Sequence, residues 1–308
     1  MDRPVHAPVL VDRVIEHLIT RRGGIYLDGT LGGGGHAEHI LAELTSDALY
    51  IGIDQDRDAI GHARKRLGHN KNIIFEQINF AGIPLLLAER GIDMVDGMLL
   101  DLGVSSYQID TPERGFSYMQ DGPLDMRMDR RAGDTAARIV NQTSEAELAR
   151  IFFTYGEERF AKRIARQIVI ARNKEPINTT EQLRKTIAHV IPGHFVIKSY
   201  ARIFQALRIA VNDELGVLKK LLEDSLGFIR PQGRIVVIAY HSLEDRIVKQ
   251  FFRSQAAPCI CPPELPQCVC GLEPKVRILT PKALKAAPEE LRINVRARSA
   301  VLRAAEVL

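Results

Sequence analysis

The stretch Ile25-Tyr-Leu-Asp-Gly-Thr-Leu-Gly-Gly-Gly-Gly-His36 joins a short apolar run to four consecutive glycines and then to the start of a helical pattern. Glycine has no Cβ atom, so a glycine backbone can approach a ligand closely and adopt positive φ at little cost. The N–H groups at the start of the following helix suit an electron-rich part of a ligand. The stretch therefore predicts a strand, a ligand-binding turn and a helix.

A second apolar run, Leu49–Ile53, is followed directly by Asp54. An acid about twenty residues after such a glycine turn is the position that binds ribose hydroxyls in nucleoside-cofactor folds. The pattern Gly32-x-Gly34-x-x-Ala37 also fits the dinucleotide fingerprint, so the turn alone does not separate a nicotinamide cofactor from S-adenosylmethionine. A turn that only packs a strand against a helix is the structural alternative, which the Asp54 spacing disfavours.

Strand and helix patterns alternate through the N-terminal third of the chain and resume near Gly233. Such alternation indicates an α/β protein with a doubly wound, mostly parallel Rossmann-like sheet and right-handed crossovers. The predicted strands begin at Ile25 and Gly233 and span 49–54, 73–79 and 96–101, with closing strands near 276–279 and 299–306; helices are predicted at 6–19, 36–44, 56–67 and 244–255.

Between residues 108 and 212 the alternation stops, and apolar residues recur every three or four positions instead. This periodicity predicts an inserted all-helical domain. We therefore assign residues 1–107 and 213–308 to the sheet domain and residues 108–212 to the insertion. Within and just beyond the insertion, helices are predicted at Ser144–Tyr155, Glu157–Asn173, Thr180–Val190 and Ser199–Leu222.

Positive charge is concentrated in the insertion. The chain of 308 residues has a net charge of +4, whereas the segment from Arg159 to Arg208 alone holds eleven Lys or Arg residues against two acids. Clustered cations beside a cofactor crevice favour a polyanionic partner, most simply a nucleic acid. A solvated basic helix face is the alternative.

Open parallel sheets bind ligands at the carboxyl ends of their strands. We therefore expect Asp28, Asp54, Asn79–Phe80 and Asp101 to converge on one crevice, with the segment from Asp101 to Ser106 facing the transferred group. Tyr240, His241 and Ser242 end the strand that begins at Gly233 and should reach the same crevice from the other side. The structural alternatives are that Asp101 only caps a turn and that His241 only supports the fold.

Cysteine occurs in one segment only, as Cys259, Cys261, Cys268 and Cys270. Two Cys-x-Cys pairs depart from the usual Cys-x₂₋₄-Cys zinc spacing, so zinc and a reduced surface loop both stay open, and no metal ligand is assigned. The start Met1-Asp-Arg-Pro-Val-His6 lacks a signal-peptide core, and no apolar run reaches about eighteen residues. We expect a cytoplasmic protein that does not contact a membrane.

Several motifs together resemble the ribosomal RNA small subunit methyltransferase H family. They are Asp28-Gly-Thr-Leu-Gly-Gly-Gly-Gly-His36, Leu99-Leu-Asp-Leu-Gly-Val-Ser-Ser106, Arg114-Gly-Phe-Ser-Tyr-Met119, Gly122-Pro-Leu-Asp-Met-Arg-Met-Asp129, Ala206-Leu-Arg-Ile-Ala-Val-Asn-Asp-Glu-Leu215 and His241-Ser-Leu-Glu-Asp-Arg246. The resemblance implies transfer of a methyl group from S-adenosylmethionine to N4 of a cytidine in the decoding region of 16S rRNA. It also implies that the small ribosomal subunit, and no DNA, is the partner, and we expect the helical insertion to bind the RNA.

Position by position, the resemblance implies cofactor contacts at Gly34, Gly35, His36, Asp54, Phe80, Asp101 and Gln108. The catalytic candidates are Asp101, Ser105 and His241. We expect Asp101 or the Ser105–Ser106 segment to accept a hydrogen bond from the cytidine amine, and His241 and Ser242 to hold the base. Many amino-directed methyltransferases have an Asp/Asn-Pro-Pro-aromatic motif at the end of the fourth strand, whereas this chain has Asp101-Leu-Gly-Val-Ser-Ser106. The way in which those enzymes clamp the base is therefore not assigned to this chain.

A nicotinamide-dependent dehydrogenase and a non-catalytic RNA-binding factor are the two rival functions. The first gives no reason for a basic helical insertion, and the second would bind RNA equally well without a cofactor. The sequence leaves open the oligomeric state, a homodimer among the possibilities, and whether free rRNA suffices as substrate.

Overall fold

The computed structural model describes residues 8–131, 133–259, 261–262 and 270–308. The chain divides into two units, one formed by Met1–Gly103 with Leu215–Leu308 and the other by Val104–Glu214. The first unit holds the sheet, and the second is helical. No helix in the described ranges is long and apolar enough to cross a membrane.

All strands of the described sheet lie in the first unit. In chain order they are β1 Ile25–Asp28, β2 Leu49–Ile53, β3 Ile73–Glu76, β4 Val95–Asp101, β5 Ile229–Ala239, β6 Val276–Ile278, β7 Leu284–Lys285 and β8 Val301–Val307. Their order across the sheet is β3-β2-β1-β4-β5-β8-β6, and β7 also pairs with β8. The pairs from β3 to β5 are parallel, and β8 runs antiparallel to β5. The predicted Rossmann-like α/β class is confirmed.

The helices complete both units. In chain order they are α1 Val11–Leu18, α2 Gly35–Glu43, α3 Arg57–Leu67, α4 Ile83–Glu89, α5 Ser106–Asp110, α6 Ala136–Gln142, α7 Glu145–Gly156, α8 Ala161–Arg172, α9 Thr180–Ala188, α10 Gly193–Asn212, α11 Glu214–Ser225, α12 Ser242–Ala256 and α13 Pro288–Ile293. Helices α5 to α10 belong to the helical unit.

Two apolar layers enclose the sheet because successive side chains of a strand point to opposite faces. In β5, Ile235 and Val237 join the layer that includes residues of α4, α11 and α12, whereas Val236 and Ile238 join the layer that includes residues of α1, α2 and α3. Since both faces are covered, the central strands are apolar at consecutive positions, as parallel strands require.

The helical unit has an apolar core of its own. Helix α7 contributes Leu148 and Phe152, α8 contributes Ile164 and Ile168, and α10 contributes Leu207, all fully buried. The i, i+4 spacing within α7 and α8 places each pair on one helix face, and that spacing is the periodicity from which the helices were predicted.

Two of the predicted helical segments were wrong because left-handed residues interrupt them. The segment predicted as one helix over Ser199–Leu222 is two helices, since Asp213 has φ 46° and ends α10. The helix predicted to begin at Glu157 begins at Ala161, since Glu157 has φ 47° and closes the preceding helix. Glycine is the usual residue at such helix ends, so acidic residues there give no sequence signal.

Asp96 connects three neighbouring strands near their amino ends. Its Oδ2 atom accepts a hydrogen bond of 2.7 Å from the N–H of Ile25 at the start of β1. Its Oδ1 atom lies 3.3 Å from Arg230 Nε in β5 and 3.6 Å from Arg21 Nη1. Asp96 is almost fully buried. It therefore fixes β1 against β4 and β5, the strands whose opposite ends carry the candidate site.

Replacing Asp96 by Ala should lower the free energy of unfolding by about 1–3 kcal/mol, because the Ile25 N–H at the start of β1 loses its acceptor. Urea denaturation followed by circular dichroism measures the change. Asp93→Ala, which removes an exposed carboxylate just before β4, is the matched control and should stay within about 0.5 kcal/mol of the parent chain. Equal midpoints for both variants would contradict the role of Asp96.

Candidate active site

The carboxyl ends of β1, β2, β4 and β5 lie side by side at one edge of the sheet. The strand register places Asp28 opposite both Gly52 and Leu99, and places Asp101 opposite Ile238. Asp54 follows β2 directly, and Tyr240 follows β5 directly. The structure thus brings the predicted strand-end residues of the first unit to a common edge, as parallel pairing requires.

The glycine turn between β1 and α2 uses the conformational freedom of glycine at two positions. Gly32 has φ 53° and Gly34 has φ 80°, both in the left-handed region that side chains disfavour. A Cβ atom on Gly34 would also lie 2.7 Å from Leu67 Cδ1, whereas one on Gly33 would meet no heavy atom within 4 Å. The turn therefore packs against α3 at Gly34 and presents open backbone at Gly33, before α2 starts at Gly35.

Asp54 connects this turn to the end of β2. Its Oδ2 atom accepts a hydrogen bond of 2.9 Å from the Gly32 N–H, and its Oδ1 atom accepts one of 2.8 Å from the Asp56 N–H. Burial raises the pKa of Asp54 to about 7, although both N–H groups favour the charged form. Each carboxylate oxygen keeps a second lone pair, so hydroxyl donors of a ribose can still bind.

Asp28 holds the start of the same turn. Its Oδ2 atom accepts a hydrogen bond of 2.9 Å from the Tyr50 hydroxyl, and its Oδ1 atom accepts one of 3.0 Å from the Thr30 N–H. Burial raises the pKa of Asp28 to about 6. The Thr30 hydroxyl in turn accepts a hydrogen bond of 2.5 Å from the Asp101 N–H, which joins β1 to β4. The roles of Tyr50 and Thr30 were not predicted from the sequence.

Asp101 is held by two neighbours on its two oxygens. The Tyr240 hydroxyl donates a hydrogen bond of 2.9 Å to Oδ1, and His36 Nδ1 lies 3.4 Å from Oδ2. Burial raises the pKa of Asp101, while His36 and Tyr240 act in the opposite direction. A carboxylate with a raised pKa and a fixed orientation is suited to accept a proton or a hydrogen bond from a reacting group.

The two ring nitrogens of His36 face Val9 and Asp101. Its Nε2 atom lies 2.8 Å from the Val9 carbonyl oxygen, which can only accept, so Nε2 carries a proton. Its Nδ1 atom faces Asp101 Oδ2 at 3.4 Å, so the ring limits the orientations that the Asp101 carboxylate can adopt.

The other histidine among the predicted site residues, His241, caps α12. Its Nδ1 atom accepts a hydrogen bond of 3.4 Å from the Glu244 N–H, and its Nε2 atom lies 3.1 Å from Glu244 Oε1. Glu244 Oε2 accepts from the N–H groups of Tyr240, at 3.0 Å, and of His241, at 3.3 Å. Both ring nitrogens of His241 therefore face Glu244. The catalytic role expected of His241 stays a prediction.

Phe80 lies beyond the end of β3, where the chain turns into α4. Asn79 caps this turn by accepting a hydrogen bond of 3.2 Å from the Ala81 N–H, and it donates one of 2.8 Å to Gln55 Oε1. Phe80 is half-buried and packs on the apolar layer that includes residues of α4. Since β3 ends at Glu76 and not at Asn79 as predicted, Phe80 does not follow the strand directly but begins a short 3-10 helix, Phe80–Gly82.

Ser105 and Gln108 belong to the helical unit and begin α5 there. The Ser105 hydroxyl accepts a hydrogen bond of 3.2 Å from the Gln108 N–H, and Gln108 Oε1 accepts one of 3.0 Å from the Ser105 N–H. The pair forms a capping box, which stabilises the start of a helix. The cofactor contact expected of Gln108 and the catalytic role expected of Ser105 stay predictions.

Acidic groups dominate the sheet edge. Burial is the largest cause of the raised pKa of Asp28, Asp54 and Asp101. Neighbouring negative charges add to it: Asp101 raises the pKa of Asp28, and Asp28 raises the pKa of Asp54. Glu244 raises the pKa of Asp101. Such an edge repels the pyrophosphate of a dinucleotide and attracts a cation. The sulfonium and ammonium groups of S-adenosylmethionine are cations, so the residues present fit this cofactor, with Asp54 for the ribose and open backbone at Gly33.

Replacing Asp54 by Asn should weaken S-adenosylmethionine binding by about 10–100-fold, because hydrogen bonds to a charged acceptor contribute about 1.5–3 kcal/mol. In the parent chain, affinity should rise with pH around the Asp54 pKa of about 7, since the ionised carboxylate accepts hydroxyl donors better than the neutral acid. Isothermal titration calorimetry across this pH range measures both effects.

Glu89→Gln, an exposed change at the end of α4, is the control and should leave affinity and its pH profile unchanged. If Asp54→Asn bound the cofactor as tightly as the parent chain, with the same pH profile, Asp54 would not be the ribose ligand.

Comparison with known proteins identifies the family. Residues 3–308 match the model of the MraW methylase family. The chain is 52% identical over 303 residues to ribosomal RNA small subunit methyltransferase H of Syntrophotalea carbinolica, covering 97% of this chain and 96% of that relative. It is 50% identical over 306 residues to the protein of the same name from Carboxydothermus hydrogenoformans, covering 98% of each. The expected methyl donor, S-adenosylmethionine, is confirmed. The chain belongs to the MraW methylase family.

Proposed function

We propose that this methyltransferase transfers a methyl group from S-adenosylmethionine to N4 of a cytidine in the decoding region of 16S rRNA, within the small ribosomal subunit and in the cytoplasm. The observation that carries the proposal is Asp101, an oriented carboxylate with a raised pKa at the acidic sheet edge. The names of the relatives support the rRNA substrate. The cytidine N4 atom and the decoding region follow from the family resemblance of the sequence motifs.

The amine of cytosine is a weak nucleophile because its lone pair is delocalised into the ring. Bound S-adenosylmethionine supplies an electrophilic methyl group. The N4 lone pair forms the new N–C bond as the S–C bond breaks, and one N–H proton must then leave the nitrogen. The site therefore has to align the amine with the methyl group and accept a hydrogen bond from the N–H.

Asp101 is the group we assign to that task. Its Oδ1 atom is fixed by the Tyr240 hydroxyl and its Oδ2 atom by His36, so the carboxylate has one orientation in which its remaining lone pairs can receive the N–H. We assign His241 a positioning role, because its ring orders the end of β5 through Glu244. Ser105 is the second candidate acceptor.

The helical unit offers a surface for the RNA backbone. Helix α8 has three exposed cations, Lys162, Arg163 and Arg166. Arg166 lies four residues after Lys162 and three after Arg163, so the three side chains share one helix face. We call these three residues the α8 stripe. In the described part of the chain, no acidic side chain lies within ion-pair distance of any of them. Neighbouring cations without acidic partners suit successive phosphates.

The reaction is tested with small ribosomal subunits that lack the modification. Incubation with methyl-labelled S-adenosylmethionine should place label in N4-methylated cytidine after digestion of the RNA and nucleoside analysis. Label in another nucleoside would contradict the assignment of cytidine N4 as the target atom. No label, despite cofactor binding, would contradict the assignment of the small subunit as the substrate. RNA binding that is equal with and without cofactor, with no transfer, would favour a non-catalytic RNA-binding factor.

Replacing Asp101 by Asn should lower kcat by about 100-fold or more, the usual contribution of a positioned general base, when both substrates are saturating. Affinity for the ribosomal subunit should change little, because the substitution keeps the shape of the side chain. Tyr240→Phe should lower kcat less, since Asp101 keeps its charge and loses one orienting hydrogen bond. Steady-state kinetics at saturating substrates measure kcat, and filter binding measures the affinity for the subunit. Lost RNA binding with unchanged kcat would contradict the assignment.

Changing Lys162, Arg163 and Arg166 together to Gln should weaken binding to the ribosomal subunit and reduce the slope of log affinity against log salt by about 2, because each phosphate contact contributes about 0.7–0.9. Cofactor affinity should not change. Filter binding at several salt concentrations measures the slope.

The matched control removes the same charge from paired positions of the helical unit. Arg138, Arg150 and Lys185 contact Asp134, Glu147 and Glu181, respectively. Their triple Gln variant should keep most of the salt slope. Equal loss in both triple variants would show that net charge, and not the α8 stripe, determines RNA binding.

A further inference from the structure

The cysteine loop between α12 and β6 is not used by the methyl-transfer site. All four cysteines of the chain occur there, between positions 259 and 270. Cys268 lies outside the described residues, and the described thiols are those of Cys259, Cys261 and Cys270. Their segregation from the rest of the chain suggests a common task.

The three described thiols meet in space. The Sγ atoms of Cys259, Cys261 and Cys270 all lie within 4.8 Å of one another. Tetrahedral zinc with Zn–S bonds of about 2.3 Å separates its sulfur ligands by about 3.8 Å. The loop therefore brings three ligand atoms close to that spacing, although the Cys-x-Cys pattern departs from the common zinc motifs.

The described part of the loop has no apolar core of its own. None of the described residues from 257 to 275 is buried. The two ends of the loop are nevertheless held together, since the Lys275 N–H donates a hydrogen bond of 2.8 Å to the Gln255 carbonyl oxygen. A stretch of chain whose described side chains are not buried needs another source of order, which a metal ion bound by several thiolates provides.

We propose that Cys259, Cys261 and Cys270 bind one structural zinc ion. Thiolates are soft ligands, and zinc binds them without redox chemistry. Each thiol loses its proton on binding, so Zn²⁺, three thiols and one water molecule give a tetrahedral zinc tristhiolate with water as the fourth ligand, and three protons are released. Affinity for zinc should therefore fall as the pH is lowered. The exposed and half-buried positions of the cysteines let the ion enter from solvent.

The test uses the untagged full-length chain, purified with a phosphine reductant and without chelators. Elemental analysis after gel filtration should find about one zinc per chain, the count that a single thiolate site holds. Cobalt(II) added to the zinc-depleted chain should give thiolate-to-cobalt charge-transfer absorption and the d–d bands of a tetrahedral site. Cys259→Ser, Cys261→Ser and Cys270→Ser should each lose the zinc and weaken the cobalt bands.

Leu272→Ser is the matched control, because Leu272 lies in the same loop, is exposed and offers no ligand. It should keep the zinc. Circular dichroism of each variant checks that the sheet remains folded, so that metal loss is not a consequence of unfolding. Zinc absent from the parent chain after zinc addition, iron in its place, or full zinc retention in all three Cys→Ser variants would overturn the proposal.

Discussion

The hydrogen bond from the Asp101 N–H to the Thr30 hydroxyl joins the ends of β4 and β1, and the candidate site is arranged around it. On one side, Thr30 donates its own N–H to Asp28. On the other, the Asp101 carboxylate accepts a hydrogen bond from Tyr240. The physical constraint is that several carboxyl groups lie wholly or partly buried at one sheet edge, and each needs donors to offset its lost hydration. The local structure supplies those donors.

The same constraint explains why the edge suits its cofactor. Burial and mutual repulsion raise the pKa values of Asp28, Asp54 and Asp101. A cationic ligand relieves that repulsion, so the acids themselves favour its binding. The methyl transfer then needs an oriented acceptor, and Asp101 is already held by neighbours on both oxygens. Cofactor binding and the proposed reaction thus depend on one set of acids at this sheet edge.

The sequence predicted the parts of the fold that depend on local patterns. Apolar runs predicted the strands, and the rule that parallel strands present their carboxyl ends at one edge predicted where Asp54 and Asp101 lie. The sequence could not predict that Tyr50 contacts Asp28 or that His36 contacts Asp101, because these contacts depend on side-chain rotamers of residues far apart in the chain. The helix breaks at Glu157 and Asp213 were missed because glycine, the usual residue at such a helix end, stands at neither position.

The most direct test of the account is a crystal structure of the chain with S-adenosylhomocysteine. We expect the ribose hydroxyls to donate to Asp54, the backbone of the glycine turn to contact the ligand, and the sulfur atom to lie near Asp101. A ligand bound away from the carboxyl ends of β1, β2 and β4, or one whose ribose does not contact Asp54, would contradict it.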